Sequence, residues 1–106
     1  IGYPPHSRVV LVRIEGSDAH EVAGAAQRLA NRALAIAAQA SDPPVVVVRG
    51  PVPAPIEKLR GRTRWQVWLR SADRHALRRV ARGIAGTEPT TLKLRVSLDI
   101  DPMSAM

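Results

Sequence analysis

The side chains best able to do chemistry in this sequence are cations interleaved with one aromatic residue. Arg64, Gln66, Trp68 and Arg70 alternate with Trp65, Val67 and Leu69, so a strand here sends the first set to one side and the second to the other. A tryptophan among arginines offers bases a stacking surface beside charges that hold phosphate. Near the C-terminus Lys93 and Arg95 alternate with Leu92, Leu94, Val96, Leu98 and Ile100, and Arg62 lies just ahead of the first set. The candidate nucleic-acid contacts are therefore Arg62, Arg64, Trp68, Arg70, Lys93 and Arg95. Arg13 would join the same face, but so would Val9 and Leu11. The competing reading is that this face docks on a neighbouring domain, with Trp68 as its anchor. Arg74, Arg78 and Arg82 follow at helical spacing, with Arg79 beside them. They form either a solvated helix face or a pocket for acidic groups, which arginine binds bidentately.

Other chemistry is hard to place. His6, His20 and His75 have no ligand spacing and no cysteine partners, so no metal site is expected. Asp99 and Asp101 share one side of a strand end, yet read more simply as an exposed acid and a strand-terminating acid before Pro102. No glycine-rich phosphate loop ending in Gly-Lys-Ser/Thr is present, so ATP hydrolysis by this chain is not expected. The expectation is a non-catalytic module with no cofactor of its own.

Composition bounds the rest. The 106 residues suit one domain with a single core. No apolar run approaches the ~20 residues that span a bilayer, and Tyr3-Pro4-Pro5 stands where a signal peptide would need an apolar stretch. With no cysteine there are no disulfides, which suits a reducing cytoplasm. The chain begins at Ile1 rather than Met, and is read as a fragment of something longer. Net charge is +7 and uneven, for nine basic residues and one acid lie between Lys58 and Arg82. A polyanion is the natural partner of such a field.

The elements that must carry these side chains read as strand, helix, strand, strand, helix, strand. Arg8 to Glu15 is β-branched and aliphatic. Asp18 and Glu21 then start a helix running to about Ala40, with Val22, Ala26, Leu29, Ala33, Ile36 and Ala40 on one face. Asp42-Pro43-Pro44 ends it. Val45 to Val48 is a second, short strand. The prolines at 51, 53 and 55 cannot join a ladder, so the connection to Arg62 is expected to be a long, partly stiff loop of the kind often used for function. Arg64 to Arg70 is the third strand. Asp73 caps a second helix with Leu77, Val80, Ala81 and Ile84 as its apolar stripe and Gly86 as its stop. A strictly alternating strand ends the fold at Pro102. This βαββαβ order predicts an α+β, ferredoxin-like sandwich, a four-stranded antiparallel sheet with both helices on one face. Residues 1–7 read as a linker and 8–106 as the domain.

Three motifs, in order, carry a family likeness. They are Gly2-Tyr3-Pro4-Pro5 before the first strand, Gly61-Arg62-Thr63-Arg64-Trp65-Gln66 at the third, and Asp99-Ile100-Asp101-Pro102 at the end, with Pro53-Ala54-Pro55-Ile56 ahead of the basic segment. Together they resemble the C-terminal domain of the PriA replication-restart helicases (primosomal protein N′), with His6 where the family usually has phenylalanine. The resemblance implies a bacterial, cytoplasmic, nucleoid-associated parent that is a DNA helicase, using ATP and zinc in parts absent here. It also implies recognition of stalled or branched forks and reloading of the replicative helicase. The domain itself would be the ribosomal-protein-like part that binds single-stranded or branched DNA and packs on the helicase core. The helix after the Arg-Trp-Gln strand would contribute to a site for the acidic tail of single-stranded-DNA-binding protein. Arg74 and Arg78 occupy the matching positions, the second standing where the family has glutamine. No membrane partner is implied. A small-molecule regulatory domain of the same fold would carry a glycine-rich loop after its first strand, where only Gly16 stands.

Overall fold

The computed structural model describes residues 7–91 and 93–100. The Tyr3-Pro4-Pro5 segment, His6, Leu92 and the Asp101-Pro102 ending lie outside these. The elements are β1 (Arg8–Gly16), α1 (Ala19–Ala40), β2 (Val47–Leu59), β3 (Arg62–Ser71), α2 (Arg74–Ile84) and β4 (Leu94–Ile100). The strands form one antiparallel sheet in the order β2-β3-β1-β4, which is the ferredoxin-like arrangement expected from the element order.

Strand alternation decides which side the helices cover. Val10, Val12 and Ile14 of β1, Val67 and Leu69 of β3 and Leu94 of β4 enter one core with residues of both helices. From α1 come Val22, Leu29 and five alanines (25, 26, 30, 33 and 37), and from α2 come Leu77, Val80 and Ile84. Alanine keeps the α1 backbone close to the sheet, and each fully buried aliphatic side chain beneath it contributes roughly 1.5–3 kcal/mol. Trp65 packs against this core, whereas Ala40, expected on the buried face, is exposed at the helix end.

The helix termini are fixed locally. The Asp18 carboxylate accepts from the backbone N–H of His20 and Glu21 at 3.0 and 3.2 Å, satisfying two donors that α1 leaves open. Asp73 does the same for Ala76 at 3.0 Å. Ser71 is buried but fully used, donating to the Val45 carbonyl at 2.7 Å and accepting from the Asp73 N–H at 3.0 Å. Gly86, just past the end of α2, takes the left-handed conformation (φ +76°) that lets the chain turn away.

The proline-rich stretch differs from expectation. It is not a loop: β2 is continuous from Val47 to Leu59 and pairs with β3. Strand β2 lies at the sheet edge, where a proline's missing N–H costs no ladder bond. The register also slips between Arg49 and Val52 and between Pro53 and Lys58, so two bulges absorb the residues that cannot pair in step. Arg60 and Gly61, both at positive φ (54° and 77°), close the hairpin in two residues, as a tight turn matched to strand twist requires.

Two contacts lock the end of the sandwich. Gly16 sits so close to the β4 entry that an added Cβ would collide with the Lys93 carbonyl oxygen and stand 2.9 Å from Val22, and the Ser17 N–H donates to that carbonyl at 3.2 Å. Arg28 of α1 grips Glu88 with a two-pronged bond, Nε and Nη2 donating at 2.9 and 2.8 Å. Those hydrogen bonds hold the Glu88 carboxyl below the usual carboxylate range.

Two stability outcomes follow from these contacts. Gly16→Ala should lower unfolding free energy by about 1–3 kcal/mol in denaturant titration, because neither backbone segment has room to yield. Glu88→Gln should cost about 0.5–1 kcal/mol at neutral pH, a value discounted because the Arg28 side chain is largely solvated. The folded-state pKa of Glu88 is depressed, so its contribution is complete above the ordinary glutamate pKa of about 4.3 and fades as pH falls through the lower folded value. Denaturation midpoints of wild type and variant should therefore converge as acid carries the pH down through that lower folded value.

Candidate nucleic-acid interface

The side of the sheet opposite the helices can be read row by row from strand register. One row runs Arg64–Glu15–Arg95 across β3, β1 and β4, and the next runs Val52–Gln66–Arg13–Ser97 from β2 to β4. A third runs Arg49–Trp68–Leu11–Asp99, followed by Val47–Arg70–Val9. Directly opposed residues on neighbouring strands have Cβ atoms ~4.5–5.5 Å apart, so each row is a contact set. The rows grade from polar and charged at the Glu15 end to aromatic and apolar at the Val9 end.

Two depressions mark this face. A concavity of about 240 Å³ is lined by Arg13, Glu15, Arg64, Gln66, Arg95 and Ser97, with Ala54 in its wall. Ala54 belongs to the second bulge of β2, so the proline-rich segment curls over the face and shapes the site. Beyond it, Val9, Arg49, Trp68 and Arg70 line a shallower hollow of about 340 Å³. Leu11 is only 3% exposed although it lies outside the helix-covered core. Its register partners are half-buried Trp68 on β3 and Asp99 on β4. Trp68 thus stands directly across from Leu11 and is still partly open to solvent.

Ion pairs thread through the cations. Arg13 meets Asp99 at 2.6 Å, and Arg62 approaches Glu15 at 4.0 Å. Among the described residues neither Arg64 nor Arg95 forms an ion pair. Among the described residues the register places six arginines (13, 49, 62, 64, 70 and 95) and two carboxylates, Glu15 and Asp99, on this face.

Of the residues expected from sequence, Arg64 and Arg95 meet in the concavity, and Trp68 and Arg70 meet in the hollow. Arg62 is on the same face at the hairpin end. Lys93 is not brought to them: it precedes β4, its carbonyl engaged by Ser17, and its exposed side chain lines neither depression. Arg49 is not evident from the sequence, in which the second strand reads as ending at Val48 ahead of Gly50-Pro51. Nor is a role for Glu15 evident there, although its alternation with Arg13 is the available signal.

A second surface lies where α2 meets the edge of the sheet. Arg74, Arg78 and Arg82 line a groove of about 460 Å³ with Arg8, over Val10, Leu77, Ala81, Leu98 and Ile100. Arg79 does not line it. Ile100 is 75% exposed here, a large apolar side chain left in solvent beside four arginines.

Among the described residues no group of three His, Cys, Asp or Glu side chains is placed to hold a metal, and His20 and His75 are both exposed. No helix among them is long and apolar enough to cross a membrane. One solved structure, "De novo designed protein Foldit4", matches with a TM-score of 0.55 at 20% identity, covering 89% of this chain and 94% of that one. At that identity the likeness speaks for the fold alone. The family model described as the primosomal protein N C-terminal domain matches residues 1–103, and the chain belongs to that family.

Proposed function

We propose that this domain binds DNA through the open face of its sheet and so helps a replication-restart helicase recognise stalled or branched forks. Membership of the primosomal family supports a role in replication restart. The observation that carries the DNA reading is the joining of Arg13, Arg64 and Arg95 in one concavity with Trp68, Arg49 and Arg70 in the next. Guanidinium groups there hold phosphates, releasing condensed counterions, while a base stacks on the exposed part of the indole. Nothing in this chemistry calls for a cofactor or a catalytic step. ATP and zinc belong, on this reading, to the remainder of the parent.

Fork binding measured at several salt concentrations tests it. Arg64→Ala should flatten the log–log salt slope by roughly 0.7–0.9 per lost phosphate contact. Trp68→Ala should weaken binding by about 1–3 kcal/mol per stacked base. Two variants that keep the fold, the slope and the affinity would remove the open face from consideration.

A second reading rests on the α2 groove. An apolar floor rimmed by Arg8, Arg74, Arg78 and Arg82 suits a short peptide that is both acidic and hydrophobic, such as the acidic tail of single-stranded-DNA-binding protein, or an acidic edge of the helicase core. Arg78→Glu should then weaken capture of an acidic, hydrophobic-ended peptide about tenfold or more, the worth of one charge-assisted contact reversed. Fork affinity of the same variant should change far less. Equal losses in both assays would merge the two surfaces into one.

A further inference from the structure

The centre of the open face holds a carboxylate that phosphate binding does not explain. Glu15 sits in register between Arg64 and Arg95 and lines the concavity with them. Beside a polyanion this charge is repulsive, and its nearest described cation, Arg62, is only at the outer limit of an ion pair, 4.0 Å away. We propose that the concavity around Glu15 takes an unpaired guanine base from a single DNA strand. This deepens the DNA reading above and rests on it.

The chemistry follows from what each base edge offers. Guanine alone presents two adjacent donors, N1–H and the N2 amine, which one carboxylate accepts side by side. Its O6 and N7 acceptors are the usual targets of arginine. An Arg–Glu–Arg row supplies both halves, with Glu15 facing the donor edge and a flanking guanidinium facing the acceptors. Adenine, cytosine and thymine each place an acceptor next to their ring donor or amine, where it would oppose the carboxylate. Gln66 and Ser97, in the adjoining row, add neutral groups that donate and accept. Trp68 is two residues from Gln66 along β3, about 7 Å, so a neighbouring base can stack in the hollow while the guanine is held. A duplex would bury the edge that Glu15 reads, so the subsite requires a single strand.

The test uses thymidine oligonucleotides carrying one central guanosine, adenosine or inosine, with affinity read by fluorescence anisotropy. Wild type should prefer guanosine to adenosine by roughly 5- to 100-fold, the span of one good bidentate base contact. Inosine, which lacks the N2 amine, should fall between. Glu15→Gln should weaken the guanosine strand towards the level of adenosine, although it removes a negative charge from a DNA-binding face. General electrostatics expects the reverse, a uniform gain for every strand, and that result would overturn the base-reading subsite while leaving phosphate binding intact. Equal wild-type affinity for all three strands would also overturn it. Free GMP, titrated in parallel, should bind far more weakly than the guanosine strand, and equal binding would overturn the assignment to a strand. Wild type that binds no oligonucleotide at all would instead remove the underlying DNA reading.

Discussion

The close seating of alanine-lined α1 across β1, β2 and β3 sorts every side chain of the sheet. Alternation in β1 sends Val10, Val12 and Ile14 to the helices and Val9, Leu11, Arg13 and Glu15 the other way. A one-residue slip in β1 would exchange the two sets and bury charges under α1. Gly16 and its near-contact with Lys93 hold the end of that strand against such a slip. The burial that stabilises the domain therefore also aims the arginines, and core and candidate site are two sides of one register.

The open face is more than a basic patch. Arg13 and Asp99 form a close pair, and Glu15 divides Arg64 and Arg95, which form no ion pair among the described residues. Solvated ion pairs of this kind contribute little to stability, but they fix side-chain directions on a surface that neither helix covers. Trp68 differs, half-buried and opposite Leu11 in the register. A half-buried ring loses less freedom when a base stacks on it, which favours binding by preorganisation. The bulges of β2 add a wall at Ala54, so a flat sheet becomes a concave one.

Much of this was legible in the sequence, and the failures have physical causes. The alternation of β3 and β4 and the Asp18 and Asp73 caps are local signals, and the structure follows them. Membership of Arg64, Trp68, Arg70 and Arg95 in one face follows directly from period-two geometry. The prolines at 51, 53 and 55 misled because their effect depends on strand position: at an edge with bulges they are tolerated, and edge position is a tertiary fact. The Arg60–Gly61 turn lacks the Asn-Gly or Asp-Gly pair that usually announces a tight hairpin. Arg49 was hidden by the same misreading of β2. Lys93 kept the alternating pattern in sequence, but the chain reaches β4 only at Leu94. Depth was not legible at all, because the walls of the concavity come from four strands.

In the proposed complex the side of the sheet away from the helices, rather than the helical layer, meets DNA. Amide and indole NMR signals recorded while a short single strand is titrated into the domain distinguish the two layers. Shifts concentrated at Arg13, Arg64, Gln66, Trp68 and Arg95, with α1 unmoved, are expected. Shifts confined to α1 and α2, with the Trp68 indole signal unchanged, would contradict that placement.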